Sequence, residues 1–141
     1  RDWNSDVCSS DLKEFAKVRD LAVARGHDRD PEIRQRLARA YGELEIMRWS
    51  GMRNVTRFIK GGQPGPEGSI GKLFWSKWHQ RLGELEVDLL GADALVMQPE
   101  HSDEHDMQHT FLFSRAHTIY AGSTEIQRNI VGERVLGLPR E

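Results

Sequence analysis

Cysteine is almost missing: Cys8 stands alone in 141 residues, so the chain can form neither an internal disulfide nor a thiolate cage around a metal ion. Charge of one sign is missing too. Twenty Lys and Arg stand against 22 Asp and Glu, for a formal net charge of −2. That balance argues against nucleic acid as a partner, because neutralising phosphates needs a cationic surplus. No apolar run approaches the ~20 residues of a transmembrane helix, which excludes a membrane span. No segment alternates apolar and polar residues over strand length between turn signals, so β-structure is not encoded. What is present is 38% apolar and 30% charged residues, in a chain long enough to bury one core. The expectation is one soluble, cytoplasmic domain.

Residues 1–12, RDWNSDVCSSDL, lack the apolar centre of a signal peptide. They resemble a translated sequencing-adapter remnant and are expected to be an artefactual or disordered leader, with the natural chain beginning well upstream of Lys13. The alternative is a polar arm ending in a helix cap at Asp11, with Glu14 three residues on.

Helical periodicity fills the rest. Leu12, Phe15, Val18, Leu21 and Ala22 mark a first helix that Gly26 stops. Asp30-Pro31-Glu32 combines an N-cap acceptor, a proline at the first helical position and an acid in the first turn. The stripe Ile33, Leu37, Tyr41, Leu44, Met47, Met52, Val55 and Ile59 follows, interrupted by Gly51 as a close approach or a bend. Gly61 to Pro66 is a connector. Pro66 restarts a helix carrying Ile70, Leu73, Phe74, Trp78, Leu82, Leu85 and Leu89 on one face until Gly91. Ala92 to Gln108 reads as a polar excursion. A helix is predicted from about Asp103 to Tyr120 through Phe111, Leu112, Arg115 and Ile119, and a last one after Ser123-Thr124, with Gln127 at capping-box spacing from Thr124. Ile126, Ile130, Val131 and Val135 form the expected apolar face of that last helix. The fold class is all-α, an antiparallel helical bundle.

Few constellations could carry chemistry. His101, His105 and His109 recur at four-residue spacing, but on one helix the outer two lie about 12 Å apart along the axis, too far for one ion. Ser102 also reads as an N-cap that puts His101 outside the helix. No HExxH or paired ExxH pattern occurs. Trp49, Phe74, Trp75 and Trp78 suit a core or subunit interface better than a stacking platform. His79 and His117 have no sequence partner and read as ordinary bundle histidines. The turn Tyr120-Ala121-Gly122-Ser123-Thr124-Glu125 is different: a helix N-terminus offers free N–H groups beside a glycine and two hydroxyls, suited to an anion or a polar ring, or simply to capping.

From Phe111 to Glu141 the run FLFSRAHTIYAGSTEIQRNIVGERVLGLPRE resembles the C-terminal end of the acyl-CoA dehydrogenase family. The similarity extends back through Asp30–Ala38 and the helix ending Asp88-Leu-Leu-Gly91, and covers essentially everything from Lys13 onward. The resemblance implies residues 13–141 are an incomplete C-terminal helical bundle of an FAD enzyme that desaturates acyl-CoA thioesters between Cα and Cβ. In that family a carboxylate takes the α proton, the β hydrogen passes as hydride to the flavin, and electrons leave to an electron-transferring flavoprotein. It also implies a homo- or hetero-oligomer assembled through the bundle.

The family's FAD-touching Gly-Thr-x-Gln/Glu segment matches Gly122, Ser123, Thr124 and Glu125, with serine for threonine. Tyr120 and Ala121 fall on its substrate side. A Gln-x-x-Gly-Gly segment that touches a neighbouring subunit's flavin nucleotide matches Asp88-Leu89-Leu90-Gly91-Ala92, and departs at both ends. Arg25 occupies the place of the family's Arg-x-x-Phe-Gly arginine, though that stretch is not preserved. Gln35 lies where a flavin-contacting glutamine is frequent. Ala121 stands where many members carry the catalytic glutamate, and other branches place the base on an upstream helix. The expectation is therefore no catalytic residue in this chain, and a fragment inactive by itself. Two alternatives remain: a non-catalytic partner subunit of such an enzyme, and an unrelated metal-binding helical bundle.

Overall fold

The computed structural model describes residues 3–62, 65, 67–100 and 102–140, and the side chains of these apart from 3–9 and 67. Arg1, Asp2, the Cys8 side chain, Gln63, Pro64, Pro66, His101 and Glu141 lie outside the described residues. They belong to the expected leader, connector, histidine ladder and terminal motif.

Five α-helices make up the described chain: α1 (Trp3–Ala24), α2 (Pro31–Ile59), α3 (Glu67–Leu90), α4 (Asp103–Phe113) and α5 (Thr124–Arg134). Single 3₁₀ turns follow α1, α3 and α4, at His27–Arg29, Gly91–Leu95 and Ala116–Thr118. No strand occurs among the described residues, and the all-α bundle stands. None of the described helices is long and apolar enough to cross a membrane.

Helix α1 does not begin at an Asp11 cap. It starts at Trp3 and runs continuously through that position. Its N–H groups there are already bonded within the helix, so Asp11 turns inward, 3% exposed, and accepts a hydrogen bond from the Trp75 indole at 3.4 Å. Helix α2 starts where the sequence says: Asp30 is extended, and its Oδ1 accepts from the backbone N–H of Glu32 at 2.8 Å and Ile33 at 3.3 Å. Gly51 leaves the helix unbroken, and nothing lies within 4 Å of its missing Cβ.

Helix α3 is the hub and touches all four others. Trp78, Leu82, Leu85 and Leu89 are buried with Leu44 and Ile33 of α2 and Phe15, Val18 and Ala22 of α1. Each such aliphatic side chain is worth about 1.5–3 kcal/mol when removed from water. The buried Trp78 indole N–H also donates to the Ala40 carbonyl at 2.9 Å, tying α3 to α2 in addition to its packing. Trp78 is therefore core and not interface. Beyond Met47 the second half of α2 has no such cover, and Trp49, Met52, Val55, Phe58 and Ile59 are exposed.

The C-terminal third departs most from expectation. Helix α4 stops at Phe113, seven residues before Tyr120, because Ser114 is fully buried and its hydroxyl turns back to the Phe111 carbonyl at 2.8 Å. The buried residue of α4 is Met107, whereas Leu112 and Ile119 are exposed. On α5 the inward residues are Thr124 and Gln127, and Ile126 faces out. Their polar atoms decide this: Thr124 Oγ1 donates to the Thr118 carbonyl and Gln127 Nε2 to the Ala121 carbonyl, at 3.4 and 2.9 Å. Those two bonds fix the rotation of the helix.

Candidate functional site

The turn Tyr120–Glu125 is built by three elements. Ala121 sits in left-handed backbone at φ 54°, unusual for a residue with a Cβ, and Gly122 follows at φ 93°. Two side chains secure this shape. Gln127 holds the Ala121 carbonyl, and the Lys72 ammonium of α3 donates to the Gly122 carbonyl at 2.8 Å. Ser123 is the N-cap of α5, accepting from the Ile126 N–H at 3.4 Å. The Glu125 carboxyl is held below the usual carboxylate range by its own backbone N–H and then by the Ser123 hydroxyl. The positive end of α5 thus already faces a carboxylate, which leaves little call for phosphate. The backbone N–H groups opening α5 and the Ser123 hydroxyl lie beside exposed Tyr120 and Ala121 and fit the neutral polar edge of a ring system such as flavin, while the Thr124 hydroxyl is turned inward to the Thr118 carbonyl.

The other candidate residues gather at the far end of α3. Arg25 Nη1 donates to the Leu90 carbonyl at 3.1 Å and pairs with Asp93 at 2.7 Å, closing the C-terminus of that helix. Asp88 pairs with Arg36 at 2.7 Å, so the charge it brings in place of glutamine is already offset. Gly91 has φ 60° and nothing within 4 Å of a built Cβ, so its backbone conformation accounts for the glycine. Gln35 is exposed on α2, next to the Arg36 that holds Asp88. Lys72 and Asp88 are sixteen residues apart on one rigid helix, about 24 Å along its axis. The structure thus divides the candidate residues into two groups at opposite ends of α3.

The sequence did not mark a polar cluster that joins α1, α3 and α4. Glu14 of α1 accepts from Thr110 Oγ1 of α4 at 2.8 Å, and its other oxygen meets His79 Nε2 of α3 at 3.0 Å. Asp11 Oδ1 lies 3.6 Å from the same nitrogen. Burial pushes Asp11 up to about 6, against the opposing pull of His79. Burial acts on Glu14 in the same sense, but His79 and Thr110 outweigh it and hold this carboxyl below its ordinary value. His117 lies edge-on to His79 with ring centroids 5.0 Å apart, and burial and then His79 push it down to about 4. One ion-binding arrangement is geometrically open here, since ligand atoms of Asp11, Glu14 and His79 lie within 4.8 Å of one another. Those atoms are already paired with each other, with the Trp75 indole and with the Thr110 hydroxyl. A readable signal was the placement of Glu14 beside Phe15 and of His79 beside Trp78, polar residues on core-facing stripes. Of the histidine ladder, His105 Nδ1 lies 3.2 Å from the Gln98 carbonyl and His109 stacks on Phe113.

Comparison with known proteins decides the family. The family model for the acyl-CoA dehydrogenase C-terminal domain matches residues 8–136. The chain belongs to the acyl-CoA dehydrogenase family. It is 41% identical over 135 residues to acyl-CoA dehydrogenase IpdE1 of Mycobacterium tuberculosis, covering 92% of this chain and 32% of that protein. It is 43% identical over 129 residues to IpdE1 of Mycolicibacterium smegmatis, covering 92% and 31%. The chain therefore spans about a third of the length of the curated relatives it matches. Among solved structures it superposes on the Tcur3481-Tcur3483 steroid ACAD with TM-score 0.79 at 23% identity, over 93% of this chain and 35% of that one. It superposes on the ChsE4-ChsE5 complex from Mycobacterium tuberculosis with TM-score 0.77 at 20% identity, over 94% and 37%. These two likenesses show the helical bundle of the acyl-CoA dehydrogenase C-terminal domain as the fold.

Proposed function

We propose that the chain serves as the C-terminal helical domain of an FAD-dependent enzyme that desaturates an acyl-CoA thioester between Cα and Cβ. The observation that carries this reading is the Tyr120–Glu125 turn, whose family motif coincides with a left-handed backbone secured by Lys72 and Gln127. Bound FAD would supply the redox chemistry, a hydride acceptor whose electrons would go on to an electron-transferring flavoprotein. This chain's part is positional: Ser123, Thr124 and Glu125 shape a polar edge for the cofactor, and Tyr120 and Ala121 border the substrate. Ala121 has no proton to exchange, and the family match assigns Glu125 to flavin contact. The base therefore belongs to other residues of the enzyme, and this chain alone is inactive.

The division of candidate residues along α3 supports assembly. Two groups about 24 Å apart suit two flavins, one touched through Tyr120–Glu125 and one, in a neighbouring subunit, through Arg25, Gln35, Asp88 and Gly91. The exposed apolar half of α2 supplies a surface for such a homo- or hetero-oligomer. A cytoplasmic location goes with this reading. A second reading, a non-catalytic partner subunit, draws on Ala121 and on the prior commitment of Asp88 to Arg36. Sequencing the reading frame upstream of Lys13 separates these from an unrelated bundle. Further acyl-CoA dehydrogenase domains with a helix-borne carboxylate are expected for the enzyme, the same domains without that carboxylate for the partner subunit, and a start codon beside Lys13 would sink both.

A further inference from the structure

A continuous path of side-chain contacts, through the buried rings of His79 and His117, joins Glu14 to the candidate cofactor turn. Glu14 bridges α1, α3 and α4 through His79 and Thr110. The His79 ring lies against His117 at 5.0 Å, and both lie against Trp75, at 4.4 and 4.5 Å. His117 occupies the 3₁₀ turn Ala116–Thr118, and Tyr120 stands edge-on to its ring at 5.5 Å. The next residue is the left-handed Ala121. Both histidines are more than nine-tenths buried, and the Nδ1 atom of each has no hydrogen-bond partner.

We propose that Glu14 and His79 are positioning residues for the Tyr120–Gly122 turn, holding His117 as an uncharged ring beneath Tyr120, so that a proton on His117 releases the turn from its left-handed shape. The groups that face His117 favour the uncharged ring. Lys72 and His79 come from α3, His109 from α4 and Tyr120 from its own turn, and Glu14 of α1 is the opposing anion. A charged His117 ring in this buried position, facing His79 and the Lys72 ammonium, is disfavoured by desolvation first and by repulsion second. Moving the ring toward solvent relieves both. That motion carries Ile119 and Tyr120 with it, since their N–H groups are bonded to the Ala116 carbonyl at 2.9 and 3.1 Å on the same 3₁₀ turn. The consequence for catalysis rests on the reading of Tyr120–Glu125 as the flavin and substrate turn; the coupling itself does not.

Histidine-selective nitrogen-15 NMR and amide hydrogen exchange on the whole 141-residue chain, followed from pH 3.5 to 8, test this without flavin. His117 is expected to titrate far below a free imidazole. His79→Gln, which keeps a donor toward Glu14 and removes the imidazole that opposes a charge on His117, raises that midpoint by about one pH unit or more, and Glu14→Gln lowers it. Protection of the Ile119 and Tyr120 amides, the exchange rate taken relative to an unstructured peptide at the same pH, falls about tenfold as His117 protonates. A merely structural role would lower thermal stability in both variants without moving the midpoint in opposite directions. Identical His117 midpoints in all three proteins, or turn exchange that ignores His117, overturns the proposal. If either variant fails to fold, His117→Phe keeps the ring and removes the proton: its turn exchange should lose the pH step, and a surviving step overturns the proposal equally. Failure of the longer enzyme to bind flavin would leave this result untouched, so the two ideas fail separately.

Discussion

Gly122 answers to two constraints at once. Its φ of 93° lies where side chains are strained, and a Cβ there would come within 2.6 Å of Gln127 Nε2, the atom that holds the Ala121 carbonyl. Gly122→Ala is expected to destabilise the chain by about 1–3 kcal/mol. Adding Gln127→Ala relieves the contact but not the dihedral and gives up the bond to Ala121, so by thermal denaturation the double variant should lose less than the sum of the two single losses. Glu86 presents the opposite case, a residue whose removal helps. It is 1% exposed, its Oε2 has no partner, and burial, reinforced by Glu14, pushes its carboxyl up to about 9 from an ordinary 4.5. Between those values the folded state holds a proton that the unfolded state has lost, so this residue's contribution to stability is fully present at acid pH and declines as pH rises. Glu86→Gln should match the parent near pH 4 and gain on it by up to about 1.4 kcal/mol per pH unit toward pH 8. Urea denaturation at a series of pH values checks this; a gain independent of pH would contradict it.

Between elements, α3 approaches α4 closely at Gly83, where a Cβ would meet the Phe111 Cα at 2.8 Å and its backbone nitrogen at 3.2 Å. Backbone cannot swing aside, so Gly83→Ala should push α4 away at a cost of about 1–3 kcal/mol. Gly42 on α2 has nothing within 4 Å, and Gly42→Ala is expected to stabilise by about 0.5–1 kcal/mol through helix propensity alone. Equal effects at the two sites, read by denaturant midpoints, would contradict this packing. The pair also marks what the sequence could and could not reveal. The Asp30-Pro31 start of α2 was legible because a cap and its N–H groups are neighbours in the chain, as was the Ser102 cap, while the choice between Ser123 and Thr124 stayed open until Ser123 proved to be the cap of α5. The stripe through Trp78, Leu82, Leu85 and Leu89 was legible from its period. The end of α4 was not, because it depends on burying Ser114, and neither was the facing of α5, set by Gln127 reaching back to Ala121. The Glu14 cluster joins residues 65 and 96 positions apart, a separation over which local spacing carries no information.

At the scale of the molecule, the second half of α2 exposes Trp49, Met52, Val55, Phe58 and Ile59, with Phe58 at 68% and Ile59 at 78%. Such a face on a free helix favours association. Trp49→Ser with Phe58→Ser is expected to shift sedimentation of the 141-residue chain toward the monomer with little change in helix content, and unchanged self-association would place the contact elsewhere. The function proposed above has this domain position, and by itself neither bind nor reduce, the flavin of a larger acyl-CoA dehydrogenase. It is tested most directly by an FAD titration of two proteins side by side, this 141-residue chain and the product of its uninterrupted reading frame. Stoichiometric FAD in the longer product, bleached by an acyl-CoA thioester, with little or no binding to the 141-residue chain, is the predicted result; tight one-to-one binding by the 141-residue chain alone, or a longer product that takes up no flavin, would contradict it.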